Sequence, residues 1–270
     1  CPMKYGFIGT GCMGGALATA CAKAIGPEDI LLSNRSPEKA QALAEKLGAI
    51  PADNETITRD CDVIFLGVKP QTMAQMLLPL QPILTGRRTP FVLVSMAAGV
   101  TIEALQDMAG GRYPVVRIMP NTACAVGAGM TTYTCSAEVT DRQRQTVLDA
   151  LAASGLLEEI EEGLMGAASA VAGCGGAYAC LFLEGLADGG VLCGLPRKKA
   201  QRMAAQMLLG MATQALESDE HTGALKDAVC SPAGSTIAGI RKLESMSFRS
   251  AAMEAVIAAW EREREMQQQK

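Results

Sequence analysis

Over the first half of the chain, short runs of Val, Ile, Leu and Phe alternate with stretches of helical period. The extended runs fall at 5–8, 30–33, 63–67, 91–95 and 115–119. Strands apolar along their whole length, separated by helical segments, predict βαβ units and a parallel sheet covered on both faces. Two more extended runs, at 129–133 and 156–160, flank a helical pattern at 141–153 and are expected to extend the sheet at one edge. After about residue 162 every segment reads as helix: 176–193, 197–216, 223–229, 236–244 and 247–266. The expected fold class is therefore α/β, with a Rossmann-type doubly wound sheet over 1–162 and an all-α domain over 163–270.

The helix at 176–193 is apolar on nearly every side except where Glu184 and Asp188 stand one turn apart. Such a helix needs neighbours all round, and one chain supplies too few. A dimer with interlocking helical domains is the expected solution. Met203, Met207 and Met211 repeat at one-turn intervals and read as a core or interface seam rather than a substrate box. The charged run at 261–270 reads as a solvated helix end.

Composition narrows the class. Of the 270 residues, 49% are hydrophobic and 19% charged, with a net charge of −4, which suits a packed globular protein. Lys and Arg form no basic stripe, so a small molecule is the expected partner and not nucleic acid. The 10 cysteines lack any C-x-x-C pair, and His221 is the single histidine, so neither a metal site nor a Ser-His-Asp triad is expected. No charged segment leading into an apolar stretch precedes the first strand, and apolar runs are broken by Gly or charge. The expectation is a soluble, cytoplasmic protein with reduced thiols, free of membrane.

Gly9, Gly11 and Gly14 form G-x-G-x-x-G between the first strand and a helical pattern. In that setting the first glycine permits the tight turn, the second lets a pyrophosphate approach, and the third lets helix pack on strand. A binder of NAD usually ends its second strand with an acid that holds the ribose 2'-hydroxyl. Here that strand ends in Ser33-Asn34-Arg35-Ser36. Arg35 can pair with a 2'-phosphate, which an acid would repel, so NADP is the expected cofactor. Ser36 is also expected to cap the helix that starts at Pro37. Three later strand ends, at 68–70, 95–99 and 117–122, are expected to line the nicotinamide half. For Lys69 a solvent-exposed strand end is an equal reading. Asn121, between Pro120 and Thr122, is placed to orient a carboxamide or a substrate group. In the helical half, Ser231-Pro232-Ala233-Gly234-Ser235-Thr236 opens a helix with free N–H groups and hydroxyls, either a carboxylate site or an ordinary helix start.

These segments are also where the chain resembles pyrroline-5-carboxylate reductases. The resemblance runs through Gly6-Phe7-Ile8-Gly9, Val68-Lys69-Pro70, 117–122, Gly173 to Tyr178, Gly194 to Arg197, Leu225-Lys226-Asp227 and 231–239. It implies a Rossmann domain followed by a helical dimerisation domain, a domain-swapped dimer often built into a decamer, and reduction of 1-pyrroline-5-carboxylate to L-proline. Carried over by position, it implies NADP contacts at Ile8, Gly9, Gly11, Cys12, Met13, Ser33, Asn34, Arg35, Asn54, Val68, Lys69, Pro70, Ala97 and Gly99, with Gly14 completing the loop. Substrate contacts are implied at Asn121, Ser231, Gly234, Ser235 and Thr236, with the Thr236 hydroxyl facing the ring nitrogen as the catalytic group. The chain departs from the family at Gly176 and at Thr222 after His221, where Pro is common.

Two other readings stay open at this point. A β-hydroxyacid dehydrogenase shares the two-domain plan but needs a Lys on the long inter-domain helix, and 176–193 contains none. A non-catalytic NADPH sensor would have no use for the 231–236 turn.

Overall fold

The computed structural model describes residues 2–268. Its sheet has eight strands: β1 (Tyr5–Ile8), β2 (Ile30–Ser33), β3 (Ile50–Pro51), β4 (Val63–Leu66), β5 (Val92–Ser95), β6 (Val115–Met119), β7 (Gly129–Cys135) and β8 (Gly155–Glu159). Their order is β3-β2-β1-β4-β5-β6-β7-β8. All neighbours run parallel except β6 and β7. The four strands β1, β2, β4 and β5 are buried along their whole length, which is why each reads as a continuous apolar run instead of an alternating one.

The helices of this part are α1 (Cys12–Ile25), α2 (Pro37–Leu47), α3 (Asn54–Asp60), α4 (Pro70–Leu77), α5 (Gln81–Gly86), α6 (Ile102–Ala109), α7 (Asp141–Leu151) and α8 (Met165–Ala168). Successive strand residues point to opposite faces, so the sheet feeds two cores. Phe7, Phe65, Val94 and Ile118 pack with Leu17 of α1 and Val147 of α7. Ile8, Ile64, Leu66 and Leu93 pack with Ile57, Met73, Leu84 and Leu105 from α3 to α6. The rings of Phe7 and Phe65 stack at 4.3 Å across β1 and β4.

The remaining helices are α9 (Gly175–Leu192), α10 (Arg197–Glu217), α11 (Thr222–Ala228), α12 (Ser235–Ser245) and α13 (Phe248–Gln268). By packing, the chain forms two compact units. Residues through Gly173 and those from Trp260 onward make the first, and Cys174–Ala259 the second. Within the second unit α9 lies along α10, Asp188 pairs with Arg197, and the Tyr178 hydroxyl donates to the Ala255 carbonyl at 3.1 Å. The continuous helical run Glu162–Leu192 is long and apolar enough to cross a membrane by length and composition, and its most apolar window is only 6% buried. Met203 and Met207 are exposed in the isolated chain, so the methionine stripe is not core of this chain.

The structure corrects two expectations. Ser36 occupies the N-cap position of α2 without a side-chain capping bond. The Lys39 N–H donates to the Ser36 backbone carbonyl at 3.0 Å, and the Ser36 N–H donates to Asn34 Oδ1 at 3.3 Å in an Asx-turn. The run from 261 is not wholly solvated either: Glu263 turns inward, and its Oε1 is buried with no hydrogen-bond partner among the described residues. Residues 269 and 270 lie outside the described residues.

Burial raises the Glu263 carboxyl above its ordinary value of 4.5, against the opposing pull of Arg117 and the Ser169 hydroxyl. A raised folded-state pKa contributes stability in full below about 4.5, and that contribution is lost as pH rises through the folded value. Glu263→Gln should abolish this loss, so the melting temperature of the variant should gain on wild type as pH rises above 4.5. Parallel melting profiles over that range would show that the carboxyl is not desolvated.

Candidate active site

The site begins at a backbone crowding that only glycine allows. Gly9 has φ +94, and a Cβ built on Gly14 would lie 2.1 Å from the Gly9 carbonyl oxygen. α1 therefore starts hard against the end of β1. Its N-cap, Gly11, has no side-chain capping bond, and its first turn carries no acid, so the first N–H groups are left for an anion. A Cβ on Gly11 would meet nothing within 4 Å among the described residues. That open space beside free N–H groups is what a pyrophosphate needs.

The end of β2 is held to this loop by side chains. Asn34 Nδ2 donates to Thr10 Oγ1 at 3.1 Å, and the Ser33 hydroxyl donates to Asn54 Oδ1 at 2.5 Å. These bonds fix Asn34 and Ser33 and leave Arg35 exposed, with no hydrogen bond or ion pair among the described residues. No carboxylate stands at the strand end, so the residues present fit a 2'-phosphate. Sequence reasoning missed Thr10, because nothing in a single sequence links it to a partner 24 residues away.

The other implied contacts differ in what they can offer. Ile8 and Ala97 are buried, so Ile8 contributes backbone, and its carbonyl already accepts from the Gly67 N–H at 2.8 Å. Met13 packs its side chain against the core, while Cys12 is exposed at the head of α1. Lys69 is exposed at the N-cap of α4, with Val68 before it and Pro70 at the first helical position. Gly99 has φ +71 in the loop between β5 and α6.

Past β6, Asn121 is engaged at both ends. Its Nδ2 donates to the Ala172 carbonyl at 3.1 Å, and its Oδ1 accepts from the Met130 N–H at 3.3 Å. Ala172 lies in a π-helical turn, Ser169–Gly173. The amide thus ties this turn to β7, leaving one N–H free toward any ligand. Arg117 faces away from solvent, its side chain 4% exposed and paired with Glu162 at 3.0 Å. All nine described cysteines are free thiols. Burial pushes Cys61 up to about 12 and Cys135 to about 11, so neither offers a thiolate near neutral pH.

In the second unit, the 231–236 turn opens α12. Gly234 is the N-cap with no side-chain capping bond, and its N–H donates to the Ser231 carbonyl at 3.0 Å. Ala233 adopts φ 57, a left-handed conformation unusual for a residue with a Cβ. A Cβ on Gly234 would lie 2.5 Å from Ser231 Oγ, so the turn closes tightly on that hydroxyl. Ser231, Ser235 and Thr236 are exposed, and their hydroxyls make no hydrogen bond among the described residues. Three hydroxyls and a free helix start are thus brought together. Gly176, within the first turn of α9, has open space around it, so the absent Pro leaves no strain.

Comparison with known proteins agrees along the whole length. Residues 162–266 match the family described as pyrroline-5-carboxylate reductase dimerisation, and residues 4–99 match NADP oxidoreductase coenzyme F420-dependent. The pyrroline-5-carboxylate reductase of Escherichia coli (strain K12) is 38% identical over 262 residues, covering 96% of each chain. That of Methanosarcina acetivorans is 39% identical over 266 residues, covering 97% of each. The chain belongs to the pyrroline-5-carboxylate reductase family. Among solved members, the Plasmodium falciparum pyrroline carboxylate reductase, crystallised with NADP bound, superposes with a TM-score of 0.86 at 34% identity and 98% coverage of each chain. A pyrroline-5-carboxylate reductase from Coxiella burnetii gives 0.89 at 31% identity, covering 97% of this chain and 98% of that one.

For this member of the reductase family the glycine loop separates two effects. Gly11 has φ −68, which alanine adopts freely, so Gly11→Ala should keep its melting temperature. Its new methyl would occupy the anion space, raising the NADPH dissociation constant on the order of 10-fold or more, about 1.4 kcal/mol. Gly14→Ala should instead destabilise by about 1–3 kcal/mol through overpacking on Gly9. Calorimetry with and without NADPH checks both, and a Gly11→Ala variant that binds like wild type would remove the pyrophosphate from this loop.

Proposed function

We propose that the chain reduces 1-pyrroline-5-carboxylate to L-proline with NADPH, the closing step of proline biosynthesis, in the cytoplasm and as a homodimer. The observation that carries the reading is the α12 start. Hydroxyls of Ser231, Ser235 and Thr236 surround free helix N–H groups, in a chain that aligns end to end with reductases of this substrate.

Bound NADPH supplies the hydride that ends on C5 of the ring imine. Gly11, Cys12, Met13 and Gly14 hold its pyrophosphate, with Ile8 and Gly9 lining the turn beneath it; Ser33, Asn34, Arg35 and Asn54 hold the adenosine end; Val68, Lys69, Pro70, Ala97 and Gly99 flank the nicotinamide. The N–H groups of Ser235 and Thr236 hold the substrate carboxylate, with Ser231 and Gly234 shaping the turn, and Asn121 offers its remaining N–H. The Thr236 hydroxyl hydrogen-bonds the ring nitrogen, which gains electron density as the C=N bond becomes C–N. A cyclic imine is basic enough to be protonated in solution, so no histidine or buried carboxylate is required.

We assign 1–162 to cofactor binding and 163–270 to substrate binding and pairing, in line with the family match that begins at 162. The exposed apolar helix α9 and the Met203 and Met207 stripe support a second copy as their cover, because a dimerisation family spans both. A decamer built from such dimers is the larger assembly that this reading allows.

Arg35→Ala should raise the Michaelis constant for NADPH and leave NADH nearly untouched in an assay of pyrroline-5-carboxylate reduction. Equal effects on the two cofactors would remove the 2'-phosphate argument. Thr236→Ala should lower kcat by on the order of 10- to 10³-fold with little change in NADPH binding, and Thr236→Ser should recover much of the rate. If Thr236 only starts the helix, kcat of the alanine variant stays near wild type.

A further inference from the structure

The loops after β5 and β6 are joined by a residue that belongs to neither. Glu162 follows β8 and lies 45 residues beyond Arg117 in the chain. Its Oε1 accepts twice, from Arg117 Nη1 at 3.0 Å and from the Ile102 backbone N–H at 2.7 Å. Ile102 is the first residue of α6 and ends the loop that carries Ala97 and Gly99. Arg117 sits on β6, two residues before the strand end from which Pro120 and Asn121 continue. One carboxylate oxygen therefore sets the separation of two loops that the functional reading places beside the nicotinamide.

The surroundings make this bond hard to replace. The Arg117 side chain is 4% exposed, and its Nε is buried without a partner among the described residues. Its other nearby carboxyl is Glu263, whose pKa burial raises. A cavity of about 380 Å³, lined in part by Thr101, Arg117, Glu162, Trp260 and Glu263, lies alongside. Without Glu162, the guanidinium has room to swing through this cavity toward Glu263, and the end of β6 is released from α6. A buried charge that loses its partner reorganises its neighbourhood, because leaving it unpaired costs more than moving it.

We propose that Glu162 is a positioning residue for the reductase. It touches neither cofactor nor substrate, and acts through Arg117 and the Ile102 N–H to hold the β5–α6 and β6–β7 loops at the spacing hydride transfer requires. The proposal rests on the reading of the chain as a reductase. Small errors in that spacing matter, since a displacement of about 1 Å can cost on the order of 10²-fold in rate.

The test uses Glu162→Ala, Glu162→Gln and Arg117→Met in the full chain, with the Glu162→Ala/Arg117→Met double variant. For each, kcat and both Michaelis constants are measured, with the melting temperature and the affinity and fluorescence emission of bound NADPH without substrate. Glu162→Ala should lower kcat about 10- to 100-fold and change the emission of the bound nicotinamide. Its NADPH affinity should stay within about threefold, since the phosphate loop is untouched. Glu162→Gln should recover most of the rate, because the amide oxygen can accept both hydrogen bonds. The double variant should be no slower than Arg117→Met alone, since both changes break one connection.

A fall in melting temperature with kcat and emission unchanged would overturn the proposal, as would losses in log kcat that simply add. Should the alanine variant fail to fold, Glu162→Gln with wild-type kcat and emission supports the hydrogen-bond bridge, and a loss as large as that of Arg117→Met overturns it. Wild type that binds NADPH but does not reduce pyrroline-5-carboxylate would sink the reductase reading instead, while the emission comparison still decides whether Glu162 sets the loop spacing.

Discussion

The carbonyl oxygen of Gly9 is approached by two other residues that can afford no side chain. A Cβ on Gly14 would come within 2.1 Å of it and one on Gly67 within 2.4 Å. β1, β4 and the start of α1 are thereby pressed together, and the first N–H groups of α1 emerge at the carboxyl edge of the sheet, where an open α/β sheet binds its ligand. The rest of the cradle depends on this contact. Thr10 sits on the same turn and holds Asn34, and Ser33 holds Asn54, so the end of β2 is referred to the glycine loop rather than floating beside it. Arg35 can be exposed and still well placed, because the two residues before it are tied down.

The parts of this arrangement that were legible in the sequence are the local ones. The strands at 5–8 and 30–33 coincide with β1 and β2, because burial on both faces demands a near-continuous apolar run, and 115–119 coincides with β6 although Arg117 interrupts its apolar residues. β3 was not legible: two exposed residues, Ile50 and Pro51, carry no periodicity. Neither was the helical stretch 165–173, where small residues and a π turn blur the helical period. At the site, the glycine spacing and the lack of an acid after β2 identify the cofactor class from a few adjacent residues.

Long-range polar pairings behave differently. Nothing about Arg117, Glu162 or Asn121 in a single sequence indicates its partners, because a hydrogen bond across 45 or 51 residues imposes no spacing rule. The strand-end reading brought 117–122 to the correct edge of the sheet, yet the structure turns Arg117 inward and engages the Asn121 amide with backbone. Ser36 shows the same limit at short range. The residue type and position fit a cap, but the Ser36 hydroxyl makes no capping bond, and residue type alone does not fix where a side chain points.

The two units differ in how far their own residues suffice. The sheet unit buries Phe, Leu, Ile and Met side chains on both faces, whereas the hydrophobic residues fully buried in the second unit are the small ones Ala187, Ala200 and Ala204. Meanwhile Leu181, Leu192, Met203, Leu209 and Leu216 stand exposed. Each such side chain gains about 1.5–3 kcal/mol when water is removed from it, so the proposed pairing with a second copy would give this half much of its stability. Under that proposal linkage would make its folding depend on concentration, as it does for any element that binds only when folded. The proposed substrate turn at 231–236 lies in that half, so the proposed pairing would tie the carboxylate site to assembly: the helix start that would hold substrate would be only as well ordered as the pairing that covers its neighbours. The cofactor cradle is free of that condition, since each residue that fixes it lies within the sheet unit, and NADPH binding should therefore persist where substrate turnover already fails for want of a partner.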